Sequence, residues 1–370
     1  MPVTPDTAER TKPARPLVIP VFIPNAGCPH RCVFCNQTAV TGRASRLPTA
    51  EALRADINRF LSHRVQPRHP VQIAFYGGNF LGLAPLTIQK LLAAAGHYVD
   101  IGRVDGLRFS TRPDTVTPER LELLAAHPVT TVEIGAQSMS DRVLSCSRRG
   151  HSPADTARAV ALLKASGYET GIQLMVGLPG ENRADVDITG QTIAVLAPDI
   201  ARIYPTLVLA GSPLAQMHQR GQFNPIDLNE AVRRTAMLYR RLDRAGIRVI
   251  RMGLQASESL SPSSNVLAGP YHPAFGHLVF SALFLAAMTA SIEYQGLQGS
   301  DLVLQVNPRS ESKLRGLKNQ NLDFLRHRYE PVSLIVEADA GIAEEEICLN
   351  GILTDIMAPV KLKAFQGMEN

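Results

Sequence analysis

A second cysteine pair is missing from this chain. Of its 370 residues only five are cysteine, and Cys146 and Cys348 stand alone. Three clustered and two isolated cysteines do not make a disulfide framework, and zinc sites built on two paired ligand sets lack their second pair here. Long apolar runs are missing too. The longest uncharged apolar stretch, 278–292, is shorter than the roughly 18 residues a membrane span needs, and it reads as a buried helix. Residues 1–15 are polar and Pro-rich with no apolar core of the secretory kind, which predicts a disordered leader and no signal peptide. With no tryptophan, the chain is still 45% hydrophobic, enough for a large core, and its formal net charge is +5. So mild an excess is compatible with a polyanionic partner without establishing one.

What is there begins with Cys28, Cys32 and Cys35, spaced C-x3-C-x2-C in the run Cys28-Pro29-His30-Arg31-Cys32-Val33-Phe34-Cys35. Soft thiolates suit iron–sulfur clusters or zinc, and three on one short loop can face a single inorganic centre. A [4Fe–4S] cubane has four iron corners, so three thiolates leave one iron open to a small molecule. The alternative is zinc with His30 as fourth ligand, against which the missing second pair counts. Thiolate ligation of iron calls for a reducing compartment, so a cytoplasmic location is expected.

From residue 16 to about 253, short apolar runs alternate with amphipathic stretches, the pattern of βα units on a parallel sheet. Strands are expected at 17–23, 71–76, 107–111, 131–135, 171–176 and 202–207. Helices are expected near 49–63, 85–97, 117–127, 153–166, 182–197 and 228–245. Thr117 followed by Pro118 predicts an N-cap with proline at the first helical position. Six units fall two short of a closed barrel, so the fold class is α/β, an incomplete (β/α)6 TIM-like barrel over 16–253. The rhythm breaks in the Ser-, Pro- and Gly-rich stretch 258–273, and 254–370 reads as a small α+β C-terminal extension.

In parallel sheets chemistry gathers at the C-terminal ends of the strands, and the informative residues fall there. The cysteine run follows the first strand. Gly77-Gly78-Asn79 follows the second, where glycines let backbone approach a ligand. Arg112-Pro113-Asp114 ends the third strand, Glu133 to Ser138 the fourth, and Gln173 with Gly177-Leu178-Pro179-Gly180 the fifth. Together with Arg149-Gly150-His151, these segments resemble the radical S-adenosylmethionine (SAM) superfamily. Within it they resemble the Elongator catalytic-subunit-like branch, whose core is also similar to oxygen-independent coproporphyrinogen oxidase.

The resemblance implies roles residue by residue. Cys28, Cys32 and Cys35 would ligate a [4Fe–4S] cluster, with Phe34 the aromatic residue before the last ligand, and SAM would chelate the open iron. Gly77 and Gly78 would present backbone to the SAM amino group. Asn79 stands where most of the superfamily has a carboxylate, and its amide carbonyl can still accept from an ammonium. Gln137 would contact the ribose or methionine part of SAM, and Arg149 would pair with its carboxylate as a fork donor. Gln173 stands where the oxidase pattern has an acidic residue for the ribose hydroxyls. A 5′-deoxyadenosyl radical would then abstract hydrogen from a substrate. Implied partners are an electron donor of flavodoxin or ferredoxin type and, for this branch, tRNA. Cys146 and Cys348 cannot hold a second cluster, so sulfur insertion is not expected. Residues 254–370 show no Gly-rich acyl-CoA loop, so the resemblance is to the core without the Elongator subunit's acetyltransferase-like domain.

Plainer roles stand beside these. Gln137 and Gln173 also read as satisfied residues at strand ends, Arg148 and Arg149 as helix caps or solvated cations, and Cys146 as a small core residue. Glu133 should point into the barrel on the side of Gly135, positioning substrate or making a structural hydrogen bond. Arg233, Arg240, Arg241, Arg244 and Arg248 form a stripe that is a solvated helix face or a contact for RNA phosphates. Arg309, Lys313, Arg315 and Lys318 are better anion-site candidates, and Tyr271-His272 lies in a loop that could close over the barrel mouth. Competing functions are a radical SAM enzyme for a small molecule, tetrapyrrole-like or other, and a non-catalytic iron–sulfur RNA-binding protein. The Gly77-Gly78, Gln137 and Arg149 set argues against the last, because a structural cluster needs no SAM pocket.

Overall fold

A computed structural model of the chain describes residues 16–43, 46–63, 69–254 and 265–358. The leader at 1–15 and residues 258–264 of the expected break lie outside the described residues. Seven parallel strands form one sheet in sequential order: β1 (Leu17–Phe22), β2 (Val71–Tyr76), β3 (Gly106–Thr111), β4 (Val129–Gln137), β5 (Glu169–Val176), β6 (Ile200–Pro205) and β7 (Arg248–Met252). Six match the expected strands; the seventh is additional. It pairs with β6 alone and carries two arginines in five residues, with no side chain fully buried, so it lacks an apolar signature. The sheet curls into an open half-barrel whose edges are β1 and β7.

Parallel neighbours need crossovers, and helices supply most of them with recognisable start signals. Thr117 caps its helix by accepting from the Arg120 N–H, with Pro118 at the first position. Ser152 and Asn182 form capping boxes with Asp155 and Asp185, which fixes where the chain enters helices Pro153–Ala165 and Arg183–Leu196. Strand periodicity then sorts the two faces. Along β2, Ile73 and Phe75 join the helix-side core, while Gln72 and Tyr76 make polar contacts across the barrel interior.

The C-terminal part is α+β. Helix Phe275–Gln295, which contains the apolar run 278–292, is long and apolar enough to cross a membrane by length and composition, yet most of it is buried inside the fold. It packs on a four-stranded sheet of β8 (Leu302–Val306), β9 (Leu334–Ala338), β10 (Glu346–Leu349) and β11 (Ile352–Asp355), in the order β9-β8-β10-β11. Helix Leu228–Arg244 joins the two cores: Leu238 and Leu242 face the barrel, and Ala231, Val232 and Ala236 face the extension.

Candidate functional site

The cysteine loop leaves β1 through two left-handed residues, Asn25 and Gly27, and is tied down at both ends. The Cys35 N–H donates to the Cys32 carbonyl at 3.1 Å, and Asn36 then caps helix Gln37–Thr41. Halfway along, the Val33 N–H donates to Ser147 O at 3.1 Å, which ties the loop to the chain just before Arg149. Cys28 is exposed, Cys35 half-buried and Cys32 buried. Phe34 is half-buried against the cluster of Val33, Leu214 and Phe223. Burial, and next the neighbouring Cys32, push the Cys35 thiol up to about 11, and the same two causes raise Cys28. Ligation needs the thiolate form, and a positively charged inorganic centre would offset this crowding.

Behind the loop lie nitrogens that lack acceptors. Arg149 is 6% exposed; its Nη1 donates to Cys32 Sγ at 3.0 Å and its Nη2 to the Gly135 carbonyl, while Nε has no partner. Arg112, equally buried, forks onto Asp114 at 2.9 and 3.1 Å and leaves Nη1 unsatisfied. Neither ring nitrogen of the buried His151 has a well-formed hydrogen bond. Burial, then the charges of Arg149 and Arg112, lower the His151 pKa to about 3, so its ring is neutral near pH 7. Unsatisfied buried donors are rare and call for a missing acceptor. The donor set therefore fits an anionic assembly of thiolates, inorganic sulfide and a carboxylate. Among the described residues no three His, Cys, Asp or Glu converge on one ion position. A cubane is held at its corners, so its thiolates stand farther apart than the ligands of a single ion.

The strand ends complete the mouth. Gly77 is left-handed and faces Gln37 Oε1, while Gln37 Nε2 lies 3.6 Å from Cys35 Sγ. A Cβ on Gly78 would stand 2.5 Å from Ile23 O, so glycine is needed there to seat the cysteine loop itself. Asn79 is fully buried and its side chain is committed to protein partners. Gln137 adopts φ +71 where the β4–β5 register shifts, and Gln173 Nε2 donates to its Oε1 at 3.2 Å. Glu133 does face the barrel interior, where Tyr76 Oη donates to it at 2.8 Å and Arg108 and Arg202 pair with it at 2.7 and 2.8 Å. Two guanidiniums on one carboxylate leave that layer with one net positive charge.

A Radical SAM superfamily model matches residues 22–193, and a Radical_SAM C-terminal domain model matches 198–284. The chain belongs to the radical SAM superfamily. It is 28% identical over 267 residues to the tRNA uridine(34) acetyltransferase of Methanocaldococcus infernus, across 60% of this chain and 50% of that protein. Human Elongator complex protein 3 is 30% identical over 267 residues, across 60% of this chain and 49% of its own length. This chain thus spans about half the length of those relatives. Among solved structures, archaeal Elp3 of M. infernus lacking its N-terminus shares the fold at TM-score 0.58 and 23% identity, across 77% of this chain and 64% of that one.

In this radical SAM enzyme several of the other residues singled out in the sequence are paired with protein groups or lie on other elements. Cys146 is exposed at the end of helix Asp141–Cys146, not a core residue. The arginine stripe is neither a free face nor continuous. Arg241 pairs with Asp187, Arg233 with Glu230, Arg240 reaches Ile356 O, and Arg248 lies on β7. In the extension Arg309 pairs with Glu344, Arg315 with Glu311, and Lys313 sits over the Phe280 ring, so three of the four nominated cations are engaged by protein groups, while Lys318 is exposed. Tyr271 packs beside Leu207, Leu209 and Val266 at the end of β6. Arg112 and His151 stand within the sequence motifs, and Gln37 just after the last cysteine, but spacing assigns none of them a role; their signal is burial without partners, or contact with a cysteine.

Glu181, which closes the Gly177–Glu181 loop, gives a pH prediction. Arg234 is shared between Glu181 at 3.0 Å and Glu230 at 2.8 Å, and Glu230 holds Arg183 as well. Glu230 stays ionised, its pKa lowered to about 2, whereas burial pushes Glu181 up to about 7. Between 4.5 and about 7 the folded chain keeps a proton that the unfolded chain has released. Stability therefore falls as pH rises through that window. Glu181→Gln should flatten the slope of Tm against pH in the cluster-free protein, and an unchanged slope would remove Glu181 as its source.

Proposed function

We propose that this radical SAM enzyme holds a [4Fe–4S] cluster on Cys28, Cys32 and Cys35, cleaves SAM reductively, and acts on tRNA. The observation that carries the cofactor reading is the three-thiol loop backed by buried Arg149, Arg112 and His151, each of which has at least one nitrogen without a partner. When bound, cluster and SAM supply a 5′-deoxyadenosyl radical that abstracts hydrogen from the substrate. The protein's own work is to bind, orient and keep water out. Gly77 and Gly78 offer backbone to SAM, Arg149 its carboxylate partner, and the Gln137–Gln173 pair a donor–acceptor edge for the ribose. The Glu133–Arg108–Arg202–Tyr76 layer fills the barrel beneath. An electron donor of flavodoxin or ferredoxin type would approach exposed Cys28, beside which an open cleft of about 540 Å³ is lined by Gly82, Asp114, Thr115 and Arg120.

The tRNA reading rests on the named relatives, the net charge of +5 and exposed Arg31 and Arg148. Those two flank the loops joined by the Val33–Ser147 hydrogen bond, at the rim of the mouth. Residues 254–370 serve in this proposal as a substrate-facing extension, without the cations first nominated there. If phosphates meet the rim, tRNA affinity falls with salt, and Arg31→Ala with Arg148→Ala lowers the log–log slope by about 0.7–0.9 per lost contact. Absence of tRNA binding at low salt would turn the proposal to a small acidic substrate facing Arg202 in the barrel.

A further inference from the structure

Asn79 follows β2 and is 0% exposed, and every polar atom of its side chain is used. Nδ2 donates to the Gly27 carbonyl at 2.8 Å. Oδ1 accepts from Thr111 Oγ1 at 2.8 Å, from the Arg112 N–H at 2.9 Å and from Thr115 Oγ1 at 2.9 Å. Two partners fix the amide's orientation, because a backbone N–H can only donate and a carbonyl can only accept. The Asn79 N–H donates in addition to Ala26 O at 2.8 Å. Neighbouring glycines make room for this arrangement. A Cβ on left-handed Gly27 would stand 2.2 Å from Asn79 O, and one on Gly82 2.2 Å from Asn79 Nδ2.

We propose that Asn79 is a positioning residue that clamps the cysteine loop, one residue before Cys28, to the end of β3 and the turn bearing Arg112 and Asp114, and does not itself meet SAM. The inference rests on the reading of Cys28, Cys32 and Cys35 as cluster ligands. It requires an amide, since one end must donate and the other accept. An ionised carboxylate of the same shape turns a lone pair on Gly27 O and opens the clamp. A protonated one donates its O–H there and keeps the three acceptor bonds. Burial holds such a carboxyl above the ordinary range near 3.9. The titratable groups on the elements packed around it are Tyr76 on β2, Cys28 on the loop, the Arg112–Asp114 pair on the turn, and Arg120, which donates to Leu83 O.

The test compares Asn79→Asp with wild type, full chain, after anaerobic reconstitution with iron and sulfide at about pH 6 and about pH 8.5. Expected is iron near the wild-type level at the lower pH and a severalfold deficit at the higher, with Asn79→Ala deficient at both. Equal loading at both values overturns the proposal, as does full loading with weakened SAM binding, which would place Asn79 on the cosubstrate. Cys28 alkylation in the iron-free chain gives an independent reading. The ratio of variant to wild-type rate should rise severalfold with pH, and a flat ratio overturns the clamp. Wild type that takes up no iron defeats the cluster reading, while the alkylation ratio still judges Asn79.

Discussion

Alanine at any one of Cys28, Cys32 or Cys35 is expected to abolish most iron and sulfide uptake, against about four of each per chain in the reconstituted wild type. Cys32→Ala should be the most damaging. Its thiol is buried and accepts from Arg149 Nη1, so its loss leaves a buried guanidinium without that acceptor. Cys146→Ala and Cys348→Ala should load normally, because Cys146 is exposed at a helix end, Cys348 lies on β10 of the extension, and neither belongs to the three-cysteine loop. Iron and acid-labile sulfide assays on the five variants check this. One zinc per chain with no sulfide would show that the loop holds a different centre.

Arg149→Ala should weaken SAM binding to the loaded protein by roughly tenfold to a hundredfold, the worth of a charge-assisted fork on a carboxylate of about 1.5–3 kcal/mol. The side chain also ties Gly135 O to Cys32 Sγ through two separate nitrogens of its planar guanidinium, a spread that a lysine's compact ammonium does not reproduce. Arg149→Lys is therefore expected to recover little. Exposed Arg148, held left-handed at φ +51, is the matched control, and Arg148→Ala should leave SAM affinity unchanged. Equilibrium binding with iron content measured on the same samples separates lost SAM from lost cluster.

Those expectations draw on features legible to very different degrees in the sequence. The strands from β1 to β6 were readable because each places apolar side chains such as Ile73, Phe109 and Ile203 in a helix-side core at period two. β7 was not, since an edge strand paired on one side has no need of that pattern, and Arg248 and Arg251 disguise it. The cysteine spacing and the glycine pair were visible because chain chemistry, φ above zero at Gly77 and close backbone approach at Gly78 demand particular residue types. Asn79 was visible as a position but not as a hub, for its four partners come from segments up to 52 residues away. His151 and Arg112 were visible as motif positions, but their unsatisfied nitrogens are a property of packing and not of order along the chain.

The central claim is tested most directly by giving the reconstituted wild type SAM and dithionite without oxygen and quantifying 5′-deoxyadenosine and methionine by mass spectrometry. We expect both products to form in equal amounts, and neither to form when Cys28, Cys32 and Cys35 are all alanine. A wild-type protein that carries its full iron and sulfide, binds SAM, and yields no 5′-deoxyadenosine under reduction would contradict the account.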